Sequence, residues 1–422
     1  MTGAKNTMEP YSSALIYVLL FLTLYFEVFL LTTYVSDRTK FALASPTPTT
    51  PVKYPSVTIV VPAWNEERTL AATVLSLLAL DYPKEHLQIF IVDDGSTDGT
   101  FEVANRFLNS PQVKVFTKEN GGKYTALNFA LRRAQTDLVG CLDADSFVAE
   151  NALKEIVRCF EDPLVMAVTP SVQIHKPDNI IQRIQSAEYM VGQFTRKIFS
   201  RLDGLYVTPG PFSIYRRNIF DVIGEFVEGF QTEDMEMALR MQSRRMKIEN
   251  AHNALVYTVS PKTPSALYRQ RVRWVSGFLK NVFFRYRHMF LNKNYGNLGL
   301  LTMPFAFASI FIALFFSAIY IDNLFLFFRE KYTIYSALGL SLPEPWFRFD
   351  WFAMNLEFRR LVIYLLLAVT IFLLLMGGRM ATHRLHLSLD MVYFVFLYGL
   401  IAPFWLVRSL YNLVTAKEAR WR

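Results

Sequence analysis

Three acidic clusters follow one another along the 422-residue chain: Asp93-Asp94, Asp143-Ala144-Asp145 and Glu233-Asp234. The stretch Gln270-Arg271-Val272-Arg273-Trp274 comes after them. Asp143 and Asp145 are alternate residues at the end of the apolar run Leu138–Leu142. Both carboxylates can therefore converge on one hard cation through oxygen. That cation would bridge them to a diphosphate and stabilise it as a leaving group. Asp234 is placed to take the proton of an attacking hydroxyl as a general base. The helix dipole alone would also favour an acidic residue in a first helical turn. The Gln270–Trp274 stretch offers an amide, a guanidinium for a diphosphate in Arg273, and an indole whose apolar face suits a sugar ring in Trp274. As a lone pattern it reads equally as a basic-aromatic anchor beside a membrane.

Two further stretches are weaker alone. Val92-Asp93-Asp94-Gly95-Ser96-Thr97-Asp98-Gly99 is a strand end, a tight turn and a helix start. Its carboxylates can accept hydrogen bonds from a base or ribose, or simply cap the turn. Glu119-Asn120-Gly121-Gly122-Lys123 lets the backbone approach a ligand and puts Lys123 within reach of a phosphate, or is an ordinary solvated turn.

The elements that position these residues alternate in type. Val57–Val61, Gln88–Val92 and Leu138–Leu142 read as strands. Between them Arg68–Leu80, Gly99–Leu108 and Lys123–Ala134 read as helices, and Met235–Met246 reads as an amphipathic helix after Thr232-Glu233-Asp234. Strand–helix alternation implies βαβ units and a mainly parallel sheet. Ligands bind such sheets beyond the carboxyl ends of the strands, where Asp93-Asp94 and Asp143-x-Asp145 fall.

Hydrophobic residues make up 52% of the chain and charged ones 19%, with a mean hydropathy of +0.22. That mixture is too apolar for a wholly soluble chain and too charged for a wholly embedded one. Ala14–Tyr34 has the length of a spanning helix. It is too long for a signal peptide, and no small-residue cleavage site follows it. Glu27 inside it should face protein rather than lipid. Ser45–Pro51 is a Pro-rich linker. Leu298–Tyr320, Leu361–Met376 and Met391–Leu410 are further spans. Val282–Asn294 mixes aromatic and basic residues and reads as an amphipathic helix on the membrane surface, and Glu344–Arg360 as a second interfacial stretch. The resulting layout is an N-terminal transmembrane helix (1–40), a linker (41–56), a catalytic domain (57–280), an interface helix (281–297) and a C-terminal membrane region of about three spans (298–422).

Arg38, Lys40, Arg379 and Arg384 put the catalytic domain on the cytoplasmic side of the cell membrane. Lys417, Arg420 and Arg422 conflict with the external C-terminus that four crossings would give. The net charge of +8 has no basic cluster tied to a nucleic-acid fold signature, which argues against a nucleic-acid partner. Cys141 and Cys159 form neither a disulfide framework nor a zinc spacing, as suits a reduced compartment.

Taken together and in order, the motifs resemble the membrane-integrated processive synthases of glycosyltransferase family 2: the cellulose, chitin, hyaluronan and poly-N-acetylglucosamine synthases. The matching stretches are Val60–Glu66, Val92–Asp98, Gly122–Asn128, Leu142–Asp145, Thr232–Asp234 and Gln270–Trp274. Size and membrane layout look most like the bacterial poly-N-acetylglucosamine synthases. The resemblance implies an α/β GT-A (Rossmann-like) fold, a UDP-sugar donor, Mg²⁺ or Mn²⁺, and inversion at the transferred sugar.

Carried over by motif, Glu66 and Asp94 would contact the uridine and Lys123 would help bind the donor. Asp143 and Asp145 would hold diphosphate and metal, Asp145 most directly. Asp234 would be the base, beside Glu233 on the substrate side. Gln270, Arg273 and Trp274 would close over the diphosphate and the acceptor sugar. Gly210, in Val207–Phe212, falls where the family places its acceptor-contacting loop. The implied partners are a glycan acceptor and membrane lipid, with room for a small accessory membrane subunit. The expected function is processive transfer of N-acetylglucosamine or a related hexose to a growing β-linked glycan that is extruded. The alternative is single transfer to a lipid, as in ceramide glucosyltransferase-like proteins. Intact carboxylates at all three positions argue against a non-catalytic scaffold or transporter.

Overall fold

The computed structural model describes residues 10–36, 53–338, 358–382 and 387–415. The Pro-rich linker, residues 344–357, and Arg38, Lys40, Arg384, Lys417, Arg420 and Arg422 lie outside them.

β-branched runs form the centre of one eight-stranded mixed sheet. β1 (Val57–Ala63) pairs in parallel with β2 (Leu87–Asp93) and β4 (Leu138–Cys141), and β2 pairs in parallel with β3 (Val113–Thr117). Beyond β4 the direction changes. β7 (Ile214–Arg216) runs antiparallel to both β4 and β6 (Val165–Ile174). β8 (Lys247–Thr258) is parallel to β6, and β5 (Ser146–Val148) closes the far edge antiparallel to β8. The spatial order is β3-β2-β1-β4-β7-β6-β8-β5.

The sheet is buried on both faces, and the two-residue period of its strands divides them. Val57, Ile59 and Val61 pack with Leu70, Val74 and Leu77 of α2 (Leu70–Leu78) and with Leu153, Ile156 and Val157 of α5 (Ala152–Cys159). Val60 and Phe90 face the other way. They meet α4 (Lys123–Leu131) through Ala126, Leu127 and Ala130, and α8 (Glu233–Ser243) belongs to that cluster through Met237, Ala238 and Met241. α3 (Thr100–Asn105) is shorter than its sequence pattern suggests, and α7 (Ile219–Ile223) is a short helix after β7. β1 has its sequence neighbour β2 on one side and β4 on the other, so a crevice opens between the carboxyl ends of β1 and β4.

Four helices among the described residues are long and apolar enough to cross a membrane: α1 (Pro10–Ser36), α10 (Met303–Leu338), α11 (Phe358–Thr382) and α12 (Leu389–Val414). They meet the catalytic region through α6 (Ile180–Arg201) and α9 (Pro264–Lys280). At the α6–α11 crossing the backbones touch, because a Cβ on Gly377 would stand 2.2 Å from the Met190 carbonyl oxygen. Glu27 faces α11, where the Thr370 hydroxyl donates to its Oε1 at 2.9 Å.

The amphipathic helix expected over 281–297 is not continuous. A π-turn (Asn281–Arg285), two 3₁₀ turns (Arg287–Met289, Lys293–Tyr295) and a second π-turn (Leu298–Thr302) replace it. Val282 and Met289 are buried, and the Tyr286 hydroxyl donates to Glu236 Oε1 at 2.7 Å. The aromatic and basic pattern serves packing over α8 at these positions.

Candidate active site

The eleven residues singled out in the sequence come together. Glu66, Asp94, Lys123, Asp143, Asp145, Gly210, Glu233, Asp234, Gln270, Arg273 and Trp274 all line one cavity of about 1240 Å³. Its floor is the crevice between β1 and β4, and its far wall is α6 and α9.

At the strand ends, Asp94 shapes its surroundings. Its Oδ1 accepts from Lys118 Nζ at 2.6 Å and from the Gly121 amide at 3.1 Å, and its Oδ2 accepts from the Gly122 amide at 2.8 Å. The Gly121-Gly122 turn is thereby fixed with its backbone against the cavity. Gly122 has φ +90°, which only glycine adopts freely. Asp93 is buried and structural, accepting from the Ser96 amide and the Thr117 hydroxyl.

Lys123, at the first turn of α4, ties two clusters together. Its Nζ lies 2.5 Å from Asp143 Oδ1 and 3.2 Å from Glu233 Oε1. Burial works against its charge, but Asp143 and Glu233 outweigh burial and hold its pKa well above the ordinary range. Glu233 is thus engaged by Lys123. Gly210 leaves room for this cluster, since a Cβ there would stand 2.5 Å from Lys123 Nζ.

Asp145 forms no ion pair among the described residues, and the Lys123 charge only partly offsets its surroundings. Burial, with Asp143 and Glu66 beside it, pushes its carboxyl up to about 7. A surplus of negative charge on hard oxygens fits a divalent cation, which would relieve that repulsion. Among the described residues no three His, Cys, Asp or Glu side chains come together as a closed metal cage.

α8 starts two residues earlier than the sequence pattern places it, with Thr232 as N-cap, so Glu233 and Asp234 occupy its first turn. Burial and the neighbouring Glu233 charge raise Asp234 to about 6. The approach to this turn is strained. Gly229, Phe230 and Gln231 have φ of +59°, +55° and +66°, costly for the two non-glycine residues. α9 holds the turn from the side at four-residue intervals. Arg273 Nη1 donates to the Gln231 carbonyl at 3.1 Å, and Asn281, one residue past the helix, donates to the Gly229 carbonyl at 2.8 Å. Between them Gly277 meets Thr232.

α9 has two working faces. Gln270, Arg273 and Trp274 face the cavity. Arg271 points away, buried, and donates to Glu188 Oε2 of α6 at 2.6 Å, with its guanidinium 4.3 Å from the Trp274 ring. The Tyr398 hydroxyl of α12 donates to the other Glu188 oxygen at 3.2 Å. Sequence reasoning assigned no role to Glu188 or Arg196, both residues of the cavity wall. Glu188, Tyr189, Gly192 and Arg196 share one side of α6, but the helix carries other polar and basic residues, among them Arg183, Gln185, Gln193 and Lys197, so the spacing alone does not single them out.

Residues 55–277 match the protein family described as "Glycosyltransferase like family 2". The chain belongs to this family. Within the family, it is 32% identical over 226 residues to the poly-beta-1,6-N-acetyl-D-glucosamine synthase of Staphylococcus aureus (strain COL), covering 52% of this chain and 54% of that protein. It is 29% identical over 225 residues to the synthase of the same name from Staphylococcus epidermidis, with the same shares covered. The matched region spans about half the length of these curated relatives. Among solved structures, a mannosyltransferase from Pyrobaculum calidifontis in complex with GDP-Man and Mn²⁺ superposes with a TM-score of 0.58. It is 19% identical and covers 96% of this chain and all of that one. The likeness is one of fold: a GT-A-like glycosyltransferase with a mixed sheet, flanked by candidate membrane helices at both ends.

Proposed function

We propose that this family 2 member is an inverting hexosyltransferase that moves a sugar from a UDP-sugar to a growing β-linked glycan at the membrane. The observation that carries this is the convergence of Asp145, Asp234 and the Gln270–Trp274 helix on one cavity. The names of the staphylococcal relatives support N-acetylglucosamine as the sugar.

The reading assigns each group a task. The Gly121-Gly122 turn, Glu66 and the Asp94 side of the crevice receive the nucleotide. Lys123 and Arg273 meet the diphosphate with charge-assisted hydrogen bonds. A divalent cation held by Asp145, when bound, would neutralise the charge that develops on the departing diphosphate. The acceptor hydroxyl attacks the anomeric carbon from the face opposite the diphosphate. The new C–O bond forms as the sugar–phosphate bond breaks. The hydroxyl proton goes to Asp234, and UDP leaves with the bonding electrons. Trp274 packs on the acceptor sugar. In this reading residues 57–280 are the catalytic region, cytoplasmic in a multi-pass protein, and repeated transfer extrudes the glycan through protein-lined space.

The experiment is direct. Purified protein in detergent is given a panel of UDP-sugars with Mg²⁺ or Mn²⁺, and the products are sized. A ladder of oligosaccharides from UDP-N-acetylglucosamine is the expected result. Absence of transfer from every UDP-sugar would overturn the reading.

A further inference from the structure

Two phenols on the α6 side of the cavity have nothing to bind within the protein. Tyr189 and Tyr206 are half-buried and line the cavity. Neither hydroxyl makes a hydrogen bond among the described residues, and neither oxygen is sealed from the cavity. Tyr82, Tyr215, Tyr286 and Tyr398 differ, since each of their hydroxyls donates to an oxygen of the protein. A polar group at a cavity wall with no protein partner is open to a ligand or to the water a ligand displaces.

Their places along the wall differ. Tyr189 follows Glu188, which accepts from Arg271 beneath the Trp274 ring. Burial raises the Tyr189 pKa, and of the charges about it Arg271 acts most strongly, then Glu188 and Arg196, ahead of Asp145. Its hydroxyl is thus nearer the support of Trp274 than the strand-end carboxylates. Tyr206 stands further on, just before Val207–Phe212, with its ring held between Phe199 of α6 and Phe278 of α9 at centroid distances of 6.4 and 5.5 Å. Both phenols act on the Arg196 guanidinium, which reaches back over Gly192 to within 3.2 Å of where a Cβ would stand. Arg196 closes the wall between them rather than receiving a ligand, because its unpartnered Nε and Nη2 have no accessible surface. The order along the wall is therefore Trp274, Tyr189, Tyr206.

The chemistry of this wall suits a neutral ligand. A phenol hydroxyl donates one hydrogen bond and accepts others, and burial keeps both phenols un-ionised at neutral pH. Their rings offer apolar surface beside the polar tip. Val172 and Val207 of the cavity add more, Val172 being held against α6 by Gln193 Nε2, which donates to its carbonyl at 2.9 Å. A ring with apolar faces and hydroxyls at its edge matches such a wall, and a phosphate does not.

We infer that Tyr189 and Tyr206 bind successive sugars of the acceptor, Tyr189 the terminal sugar that lies on Trp274 and Tyr206 the sugar before it. This rests on the transferase reading and deepens it by naming the acceptor as an oligosaccharide of at least two units.

The test measures binding of N-acetylglucosamine and of its β-linked disaccharide to the full chain in detergent, loaded with UDP and Mg²⁺. The disaccharide should bind about two- to tenfold more tightly than the monosaccharide, the size of one neutral hydrogen bond. Tyr206→Phe should erase that difference and leave monosaccharide binding unchanged. Tyr189→Phe should weaken both probes by about two- to tenfold. Each variant keeps the ring and breaks no hydrogen bond within the protein, so melting temperature and UDP affinity should stay at wild type. Equal binding of the two probes to the wild type, or binding of neither, would overturn the proposal. So would a wild-type disaccharide preference in Tyr206→Phe, or wild-type affinity for both probes in Tyr189→Phe. A Tyr189→Phe variant that loses affinity for UDP-N-acetylglucosamine but not for UDP would assign that phenol to the donor sugar instead. Failure of the wild type to bind UDP would count against the transferase reading, separately from this one.

Discussion

Gly277 and Thr232 are in contact with no room for another atom: a Cβ at position 277 would stand 2.4 Å from Thr232 Cγ2. Thr232 stands at the N-cap position of the helix that starts with Glu233 and Asp234, its hydroxyl donating to the Gly229 carbonyl rather than capping the helix. The helix bearing Arg273 and Trp274 is thereby pressed against the start of the helix that carries Asp234. Gly277→Ala should cost about 1–3 kcal/mol, the usual price of overpacking a tight core. It should also lower the transfer rate while leaving UDP affinity near wild type. Thermal unfolding and initial rates in detergent check this. A wild-type melting temperature with a wild-type rate would contradict the contact.

Asp234→Asn should remove a factor of about 10²–10⁴ in transfer rate with UDP binding retained, because it removes the base and little else. The wild type should show the matching pH dependence. The Asp234 carboxyl is raised to about 6, so its basic form is full above that pH and is lost as pH falls through it. At saturating Mg²⁺, kcat/KM should therefore fall on the acid side with a midpoint near pH 6. A profile flat to pH 5 would remove Asp234 from the role.

Asp145, held up to about 7 by burial, Asp143 and Glu66, should gain most from a cation. Excess EDTA should silence transfer, and added Mg²⁺ or Mn²⁺ should restore it. Asp145→Ala should abolish the metal dependence of UDP binding. Because protons and cation compete for the same carboxylate, the apparent cation affinity should weaken below pH 7. Full activity in EDTA would be the contrary result.

Arg271 places Trp274, and Glu188 places Arg271. Glu188→Ala strands a buried guanidinium and should destabilise the protein by about 3–5 kcal/mol. Glu188→Gln keeps a hydrogen-bond acceptor and should be milder, raising KM for the acceptor more than it lowers donor affinity. Trp274→Ala should impair transfer, and Arg273→Ala should chiefly weaken the donor. Wild-type kinetics in both signature variants, with normal membrane insertion, would reduce the motif to an anchor.

In sealed vesicles with the catalytic region outward, the polymerase reading expects long chains protected from added glycosidase. A product of one sugar on a lipid, with no polymer at any donor concentration, would move the assignment to single transfer.

The sequence shows the residues whose chemistry is carried on contiguous stretches. Asp94, Asp143-x-Asp145, Glu233-Asp234 and Gln270–Trp274 each sit where a strand ends or on a helix, and local pattern finds those places. Glu188 is different. Its partners lie 83 residues away at Arg271 and 210 away at Tyr398, so nothing local reveals them. Arg196 stands between Thr195 and Lys197 in a helix with several basic residues, so nothing in the local pattern singles it out. The run after α9 misleads because aromatic and basic spacing suits a bilayer surface as well as the flank of α8, and the two are separated by Tyr286 and Arg285 reaching Glu236 and by the burial of Val282 and Met289. Pro170 hides the long strand β6. A proline argues against a central strand, but here it sits at a register shift between Thr169 and Ser171, and the Asn250 amide supplies hydrogen bonds to the carbonyls there.

The reversal of strand direction at β4 has a consequence for how such a protein can diversify. Glu66, Asp94 and Lys123 belong to the all-parallel half of the sheet, while Tyr189, Asp234 and Trp274 belong to the half beyond β7 and to its helices. The halves adjoin in the sheet along the short β4–β7 ladder, Leu138–Gly140 against Ile214–Arg216. On the reading proposed here, most of what holds the donor and most of what receives the sugar are written in separate blocks of sequence, Arg273 being the donor contact that the second block supplies. Exchange of one block between relatives would recombine an existing donor preference with a new acceptor. The β4–β7 seam is the natural place to cut.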